Sequence, residues 1–196
     1  DGYDELLIGA PFWSGEELSV AGKAYLFMGG PDGLGGAPAW DRVGEGNGVY
    51  YGMSLDGAGD VNGDGYGDVI VGAPMQNNSQ GHGGKVYLYL GGASGLDDSW
   101  SWAQSTGTDF DEYGRCVAGA GDVNGDGYSD FLIGAPGMGA IPDEGYVYVH
   151  FGSPVGPDGS WFVHGSQINA RYGSKVAAAG DVNADGFADI MIGAPD

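Results

Sequence analysis

Residues 60–68 read Asp60-Val-Asn-Gly-Asp-Gly-Tyr-Gly-Asp68, and this stretch decides the fold because it occurs three times in nearly the same form. The other full copies occupy residues 122–130 and 181–189, and a truncated copy, Asp1-Gly-Tyr-Asp-Glu5, begins the chain. Each full copy has oxygen-bearing side chains at its first, third, fifth and ninth positions and Gly at its sixth. The pattern predicts a loop for a hard cation, and its recurrence predicts a repeat protein with one ion site in each unit.

The repeat unit is about 60 residues long, since the fifth loop positions fall at Asp1, Asp64, Asp126 and Asp185. In every unit the loop is followed by a short apolar run closed by Gly-Ala-Pro, and in the complete units an aromatic run and a Gly-rich turn leading to Trp come next. Self-similarity at this period indicates stacked or radial supersecondary units. The predicted repeats are approximately 1–49, 50–111, 112–170 and 171–196.

The apolar runs are too short for helices and are punctuated by Gly and Pro, which predicts an all-β fold. Aromatic runs such as Val86-Tyr-Leu-Tyr-Leu90 are apolar on both faces, as expected of a sheet covered on both sides by neighbouring sheets. Four strands in each unit match a propeller blade with long loops.

The order of motifs resembles the FG-GAP repeat, which builds the β-propeller of integrin α subunits and of many bacterial surface proteins. The resemblance is carried by Tyr51-Gly-Met-Ser-Leu55, by Gly59-Asp-Val-Asn-Gly-Asp-Gly65 and by Ile192-Gly-Ala-Pro195, and it covers essentially the whole chain. It implies a β-propeller of four-stranded antiparallel blades. We expect residues 1–196 to form a single partial propeller of about three blade equivalents, with three strands of one blade, two complete blades and two strands of a fourth. A ring of this type has about seven blades, so we expect the chain to be part of something longer.

The loop positions predict three full Ca²⁺ sites with a structural role, because Ca²⁺ takes six to eight oxygen ligands in flexible geometry. The predicted ligands of the first full loop are Asp60, Asn62, Asp64, the carbonyl of Tyr66, and Asp68. Those of the second are Asp122, Asn124, Asp126, the carbonyl of Tyr128, and Asp130. Those of the third are Asp181, Asn183, Asp185, the carbonyl of Phe187, and Asp189. The truncated copy offers a weaker set: Asp1, the carbonyl of Tyr3, and Glu5.

Other interpretations of the loops fit less well. An EF-hand closes with Glu at its twelfth position, where this chain has Val71, Ile133 and Ile192. Mg²⁺ demands near-ideal octahedral geometry, and soft metals prefer His or Cys ligands. The remaining alternative is a set of Asx turns without metal, in which Asp and Asn bind only the backbone. Three copies with the same oxygen positions favour the metal site.

The charge of the chain limits its partners. With 27 Asp+Glu against six Lys+Arg, the formal net charge is −21, so a nucleic acid or an anionic membrane surface is disfavoured as a partner. There is no apolar run of 18 residues, so we expect no membrane insertion. Cys116 is the only cysteine, and we expect it to be buried on a strand. We expect His82, His150 and His164 to be separate surface residues.

No catalytic motif is present, so the leading hypothesis is a non-enzymatic, extracellular, Ca²⁺-binding scaffold for adhesion or for binding a protein or glycan. The alternatives are a structural or assembly unit of a surface polymer, and an accessory propeller of a larger secreted enzyme. The assembly hypothesis includes self-association or association with further blades. The Trp residues near the ends of the units are expected to pack between blades, although stacking on sugars is the alternative.

Overall fold

The computed structural model describes residues 2–77, 81–106 and 110–195, in which every helix or strand assigned is a β-strand. The strands form four antiparallel sheets that follow one another along the chain. The first sheet contains β1 (Leu6–Ala10), β2 (Lys23–Phe27) and β3 (Trp40–Val43). The second contains β4 (Ser54–Gly59), β5 (Asp68–Ala73), β6 (Lys85–Tyr89) and β7 (Trp102–Ser105). The third contains β8 (Cys116–Gly121), β9 (Asp130–Ala135), β10 (Tyr146–His150) and β11 (Ser160–His164), and the fourth contains β12 (Lys175–Gly180) and β13 (Asp189–Gly193).

These sheets confirm the prediction of an all-β fold built from four-stranded antiparallel propeller blades. In the described residues the sheets have three, four, four and two strands, as the order of motifs predicted. The boundaries of the repeats remain a prediction, since the sheets alone do not define where one repeat ends. No helix in the described ranges is long and apolar enough to cross a membrane.

The blades pack face to face through three apolar clusters. β4 lies beside β8, and β8 lies beside β12, so these three strands form the inner edges of adjacent blades. All six residues of β5 and all six of β9 are buried, because both faces of these strands are covered by neighbouring blades. This arrangement explains their continuous apolar sequences, which lack the alternation of a half-exposed strand.

Gly-Ala-Pro and Tyr-Gly occur together in the sequence because the two motifs touch between neighbouring blades. A methyl group added at Gly72 would lie 2.2 Å from the carbonyl oxygen of Gly114. The equivalent separation is 2.1 Å from Gly9 to Gly52, and 2.1 Å from Gly134 to Gly173. A side chain at Gly9, Gly72 or Gly134 would therefore force the blades apart.

The Trp residues at equivalent positions of the outer strands differ in their exposure to solvent. Trp40 packs edge-on against Tyr89 of the next blade at a centroid distance of 4.9 Å. Trp102 packs in the same way against Phe131 and His150. Trp161 is 50% exposed, whereas Trp40 is 6% exposed. Packing between blades is thus confirmed for Trp40 and Trp102, whose partners Tyr89 and His150 lie on the third strand of the following blade.

His150 is buried, so the expectation that all three histidines lie on the surface is wrong for this residue. It is 4% exposed and stacks on Phe131 at 5.3 Å, beside Trp102 and Tyr148. Its Nε2 lies 3.2 Å from the hydroxyl of Tyr113. Burial lowers the pKa of His150 to about 4, because the charged ring would lose its hydration between the blades. Cys116, by contrast, is buried on β8 as expected.

We expect acid to destabilise the protein through His150. The unfolded ring has a pKa of about 6.5 and the folded ring one of about 4, so the unfolded state takes up the proton first as pH falls. Stability is therefore lost as pH falls through 6.5 and levels off below 4, by about 2–3 kcal/mol at pH 4.5. Urea unfolding of wild type and of His150→Phe at neutral pH and at this pH measures the effect. The His150→Phe variant should lose less stability than wild type on acidification. The control His82→Gln, at an exposed histidine, should lose as much stability as wild type. Equal losses in all three proteins would contradict the assignment.

Candidate metal-binding loops

Each full loop joins the inner strand of a blade to the second strand. The loops connect β4 to β5, β8 to β9, and β12 to β13. The strand pairing shifts by one residue just before each loop, at Gly59, Gly121 and Gly180, and each of these glycines has a positive φ between 71° and 78°. This bulge turns the chain out of the ladder, so the acidic residues that follow lie at one end of the blades.

The sixth-position glycines adopt a left-handed backbone conformation, which Gly takes readily in a sharply turning loop. Their φ values are 91° at Gly65, 92° at Gly127 and 94° at Gly186. The fourth position is also left-handed, and there Ala184, with φ of 59°, replaces the glycine of the other loops. A non-Gly residue in this region is strained.

The side chains at positions one, three and five converge on the same turn of backbone. In the loop of the second blade, Asp60 accepts the N–H groups of Asp64 and Gly65 at 3.0 and 2.8 Å. Asn62 accepts the N–H of Asp64 at 3.0 Å and donates its amide to the carboxylate of Asp64 at 2.8 Å. The carboxylate of Asp64 in turn accepts the N–H of Tyr66 at 3.0 Å.

The other two loops repeat this network, so the geometry is a property of the motif. Asp122 accepts the N–H groups of Asp126 and Gly127 at 3.2 and 2.8 Å. Asp181 accepts the N–H groups of Asp185 and Gly186 at 3.1 and 2.9 Å. The amides of Asn124 and Asn183 donate to the fifth-position carboxylates, Asp126 and Asp185.

The ninth-position carboxylates differ from the others because two of them are buried. Asp68 is 1% exposed and accepts the N–H of Val61 at 2.8 Å and that of Gly91 at 2.9 Å. Asp130 is fully buried and accepts the N–H of Val123 at 2.8 Å and that of Gly152 at 2.9 Å. The ninth position therefore ties the loop to the second strand and to the turn after the third strand. Asp189 accepts the equivalent N–H, that of Val182, at 2.8 Å.

Burial raises the pKa of the Asp68 carboxyl, and the negative charges of Asp64 and Asp60 raise it further. The N–H bonds from Gly91 and Val61 oppose this rise. Burial raises the pKa of the Asp130 carboxyl in the same way, with the like charges of Asp126 and Asp122 contributing. The carboxylates of these two loops are thus close enough to destabilise one another when all are ionised.

Neighbouring loops also touch, which sequence inspection did not reveal. The Ser129 hydroxyl accepts the N–H of Asp60 at 3.1 Å, and the Ser129 N–H donates to the Asp60 carbonyl at 3.0 Å. The ring of Tyr128 lies against Gly63, where an added methyl group would be 2.6 Å from it. Phe187 lies against Gly125 in the same way, and the N–H of Ala188 donates to the carbonyl of Asp122. The seventh and eighth positions of one loop therefore pack on the preceding loop.

The predicted side-chain ligands at positions one, three and five of each full loop lie around one turn of backbone, but the described residues do not group them as a metal site. Across the described part of the chain, no three His, Cys, Asp or Glu side chains form a group arranged to hold a metal ion, because the carboxylates face backbone N–H groups. Of the weaker set, Asp1 lies outside the described residues, and Tyr3 and Glu5 are exposed ahead of β1.

The donor chemistry of the full loops nevertheless fits a hard cation. Each loop offers only oxygen ligands, and a carboxylate oxygen that accepts one N–H retains a second lone pair. Burial raises the pKa values of Asp68 and Asp130, and the like charges of the same loop add to the rise; a bound cation would counter that repulsion. Asx-turn geometry and cation binding are therefore compatible in the same loop.

Comparison with known proteins gives consistent matches. The family model described as "FG-GAP repeat" matches residues 51–89, 117–150 and 172–196, which together make up half of the chain. Each matched segment contains one full acidic loop and the strands on both sides of it.

Several integrin α chains are similar to this chain over most of its length. Integrin alpha-PS2 of Drosophila melanogaster is 32% identical over 162 residues, which cover 75% of this chain and 12% of the relative. Integrin alpha-4 of Xenopus laevis is 36% identical over 151 residues, which cover 76% of this chain and 14% of the relative. Integrin alpha-2 of Mus musculus is 32% identical over 152 residues, covering 69% and 12%. The chain thus spans about one-eighth of the length of these relatives.

Proposed function

This chain belongs to the FG-GAP repeat family, and on that premise we propose that it is a Ca²⁺-binding propeller scaffold for adhesion or for binding a protein or glycan. Its similarity to integrin α chains supports a place outside the cell or at the cell surface. The observation that carries the proposal is the threefold recurrence of one all-oxygen loop at the same end of adjacent blades.

The proposed ion ligands are those that the loop positions predict. Positions one, three, five and nine supply side-chain oxygens, and position seven supplies a backbone carbonyl. A bound Ca²⁺ would neutralise the carboxylates of its loop. Because Ser129 and Tyr128 contact the preceding loop, ordering one loop also supports its neighbour.

The scaffold is proposed to be non-enzymatic. Each histidine in the described structure has a different environment: His150 is buried beside Tyr113, His164 pairs with Glu144, and His82 stacks on Phe110. This scatter supports binding over catalysis, since general acid–base chemistry needs its groups within hydrogen-bond reach of one substrate.

Calcium titration by calorimetry tests the proposal. We expect three sites in each chain, with unfolding temperature rising as they fill. The matched control is a variant with Asp64→Asn, Asp126→Asn and Asp185→Asn, which keeps the size of the side chains and removes one carboxylate from each loop. Heat and stabilisation equal to those of wild type in this variant, or no saturable binding in wild type, would refute the metal sites.

A further inference from the structure

The acidic loops of the second and third blades are joined by hydrogen bonds that involve predicted calcium ligands. Asp60, at the first position of its loop, donates its N–H to the Ser129 hydroxyl at 3.1 Å, and its carbonyl accepts the Ser129 N–H at 3.0 Å. Ser129 lies between the seventh and ninth positions of the next loop, Tyr128 and Asp130. Both backbone polar groups of one predicted ligand residue are therefore held by the neighbouring loop.

A second path joins the ninth-position carboxylates of the two loops. Asp130 accepts the N–H of Gly152 at 2.9 Å. The residue after Gly152, Ser153, donates its N–H to the carbonyl of Val61 at 3.0 Å. Val61 in turn donates its N–H to Asp68 at 2.8 Å. The turn that follows the third strand of one blade therefore connects a predicted ligand of one ion to a predicted ligand of the other.

These contacts lie in a buried and closely packed junction. Val61 and Asp130 are fully buried, and Asp68 is 1% exposed. A methyl group added at Gly152 would lie 2.4 Å from the carbonyl oxygen of Ser129 and 2.6 Å from that of Val61. The second and third blades each have four strands, so the whole junction belongs to complete sheets and their connecting turns. A displacement of one loop is therefore passed to the other, because close-packed groups do not move independently.

We propose that calcium binding to the loop of residues 122–130 raises the calcium affinity of the loop of residues 60–68, and the reverse. The inference rests on the proposed calcium-binding function and deepens it, because it states how the sites regulate each other. Ion binding to one loop orders Ser129 and Asp130, so the neighbouring loop binds its ion with a smaller loss of conformational freedom. Coupling between binding sites is reciprocal, so each ion changes the affinity for the other by the same factor.

Charge acts against this coupling. An ion in one loop cancels part of the negative charge that attracts the second ion to the other loop. At physiological ionic strength this effect is screened over about 8 Å, whereas the hydrogen bonds of the junction act at contact distance. We therefore expect positive coupling of about fivefold at physiological ionic strength, the low end of the usual range. The coupling should decrease in dilute buffer, where the opposing electrostatic effect is stronger.

The test is a calcium titration of the ¹⁵N-labelled protein at physiological ionic strength, followed by NMR separately at the amides of Gly65 and Gly127. Asp126→Ala removes the fifth-position ligand of one loop and leaves Asp130 in place. We expect this variant to bind calcium about fivefold more weakly at Gly65. Asp64→Ala should weaken binding at Gly127 by the same factor. Unchanged or tighter binding at the intact loop in either variant would overturn the proposal.

Ser129→Ala tests the path, because it removes the hydroxyl that accepts the N–H of Asp60 and keeps the backbone N–H. Ala188 occupies the same position in the following loop and donates its N–H to the carbonyl of Asp122 at 2.9 Å, so alanine fits this position. In the Ser129→Ala background, adding Asp126→Ala should weaken binding at the loop of residues 60–68 by less than about twofold. A factor as large as in the wild-type background would overturn the role of Ser129.

Ser153→Ala is the matched control, because it removes a hydroxyl from the same junction without removing a contact between the loops. The Ser153 hydroxyl donates to the Gly156 carbonyl at 2.6 Å within its own turn, and the Ser153 N–H still bonds Val61. This variant should keep the wild-type coupling, and a loss equal to that in Ser129→Ala would overturn the proposal. Independent calcium affinities at the two loops would refute the coupling alone, whereas no saturable binding at either loop would refute the metal-dependent scaffold.

Discussion

Chelation of calcium is expected to lower the unfolding temperature of this protein by about 20 °C. An ion that binds only the folded loop stabilises by about 2.7 kcal/mol at a hundredfold excess over its dissociation constant. Three such sites contribute about 8 kcal/mol, and in a chain of this size each kcal/mol shifts the midpoint by roughly 2–4 °C. The effect is large because each full loop contains three carboxylates in nine residues.

The structural reason for this sensitivity is visible at the ninth position. Burial and the nearby negative charges raise the pKa values of Asp68 and Asp130, so both carboxylates are poorly stabilised without a cation. Calorimetric scans in calcium, in chelator, and in chelator saturated beforehand with calcium measure the effect. The saturated chelator is the control and should leave the midpoint unchanged. Identical curves in all three conditions would show that the loops are stable as Asx turns alone.

The second large effect is expected from Asp130→Ala, which should destabilise the protein even without calcium. Asp130 is fully buried, and its two oxygens accept N–H groups from Val123 and Gly152. Removing the carboxylate leaves two donors without partners in a buried site, at a cost of about 3 kcal/mol in total. Asp126 belongs to the same loop but is exposed, so Asp126→Ala should cost less than about 1 kcal/mol in chelator.

Urea unfolding of both variants, with and without calcium, separates the two roles of the loop. In calcium both variants lose the ion site and should be strongly destabilised, whereas in chelator only Asp130→Ala should be. Asp130→Asn is an intermediate case, because its amide oxygen can accept one of the two N–H groups. If Asp126→Ala and Asp130→Ala were equally destabilised in chelator, the buried carboxylate would have no structural role of its own.

Much of the fold was predictable because the chain repeats the same local signals. The bulge glycine, the acidic loop and the Gly-Ala-Pro run follow one another in each unit, and together they place the first two strands and their turn. The number of strands in each sheet follows from counting these signals. The positive φ values at Gly65, Gly127 and Gly186 were also predictable, because the sixth loop position requires a conformation that Gly adopts readily.

Contacts between blades were not predictable from one sequence, because they join residues about 60 positions apart. Ser129 contacts Asp60, and Tyr128 contacts Gly63, and in each pair the two residues belong to different repeats. No local periodicity in the sequence marks either contact. His150 was predicted to be at the surface, but it occupies the position that Tyr89 holds in the preceding blade and is covered by Trp102. Packing of the neighbouring blade decides its burial and lowers its pKa.

By itself, the sequence determined the β-strand character of the chain, the order of its strands and the candidate ion ligands, because spacing and turn chemistry specify these locally. Only the tertiary structure decided which carboxylates are buried and how adjacent loops support each other. Asp60 and Ser129 are 69 positions apart, and they meet because consecutive inner strands pack side by side. Burial and electrostatic environment depend on such long-range packing, which a local pattern does not contain.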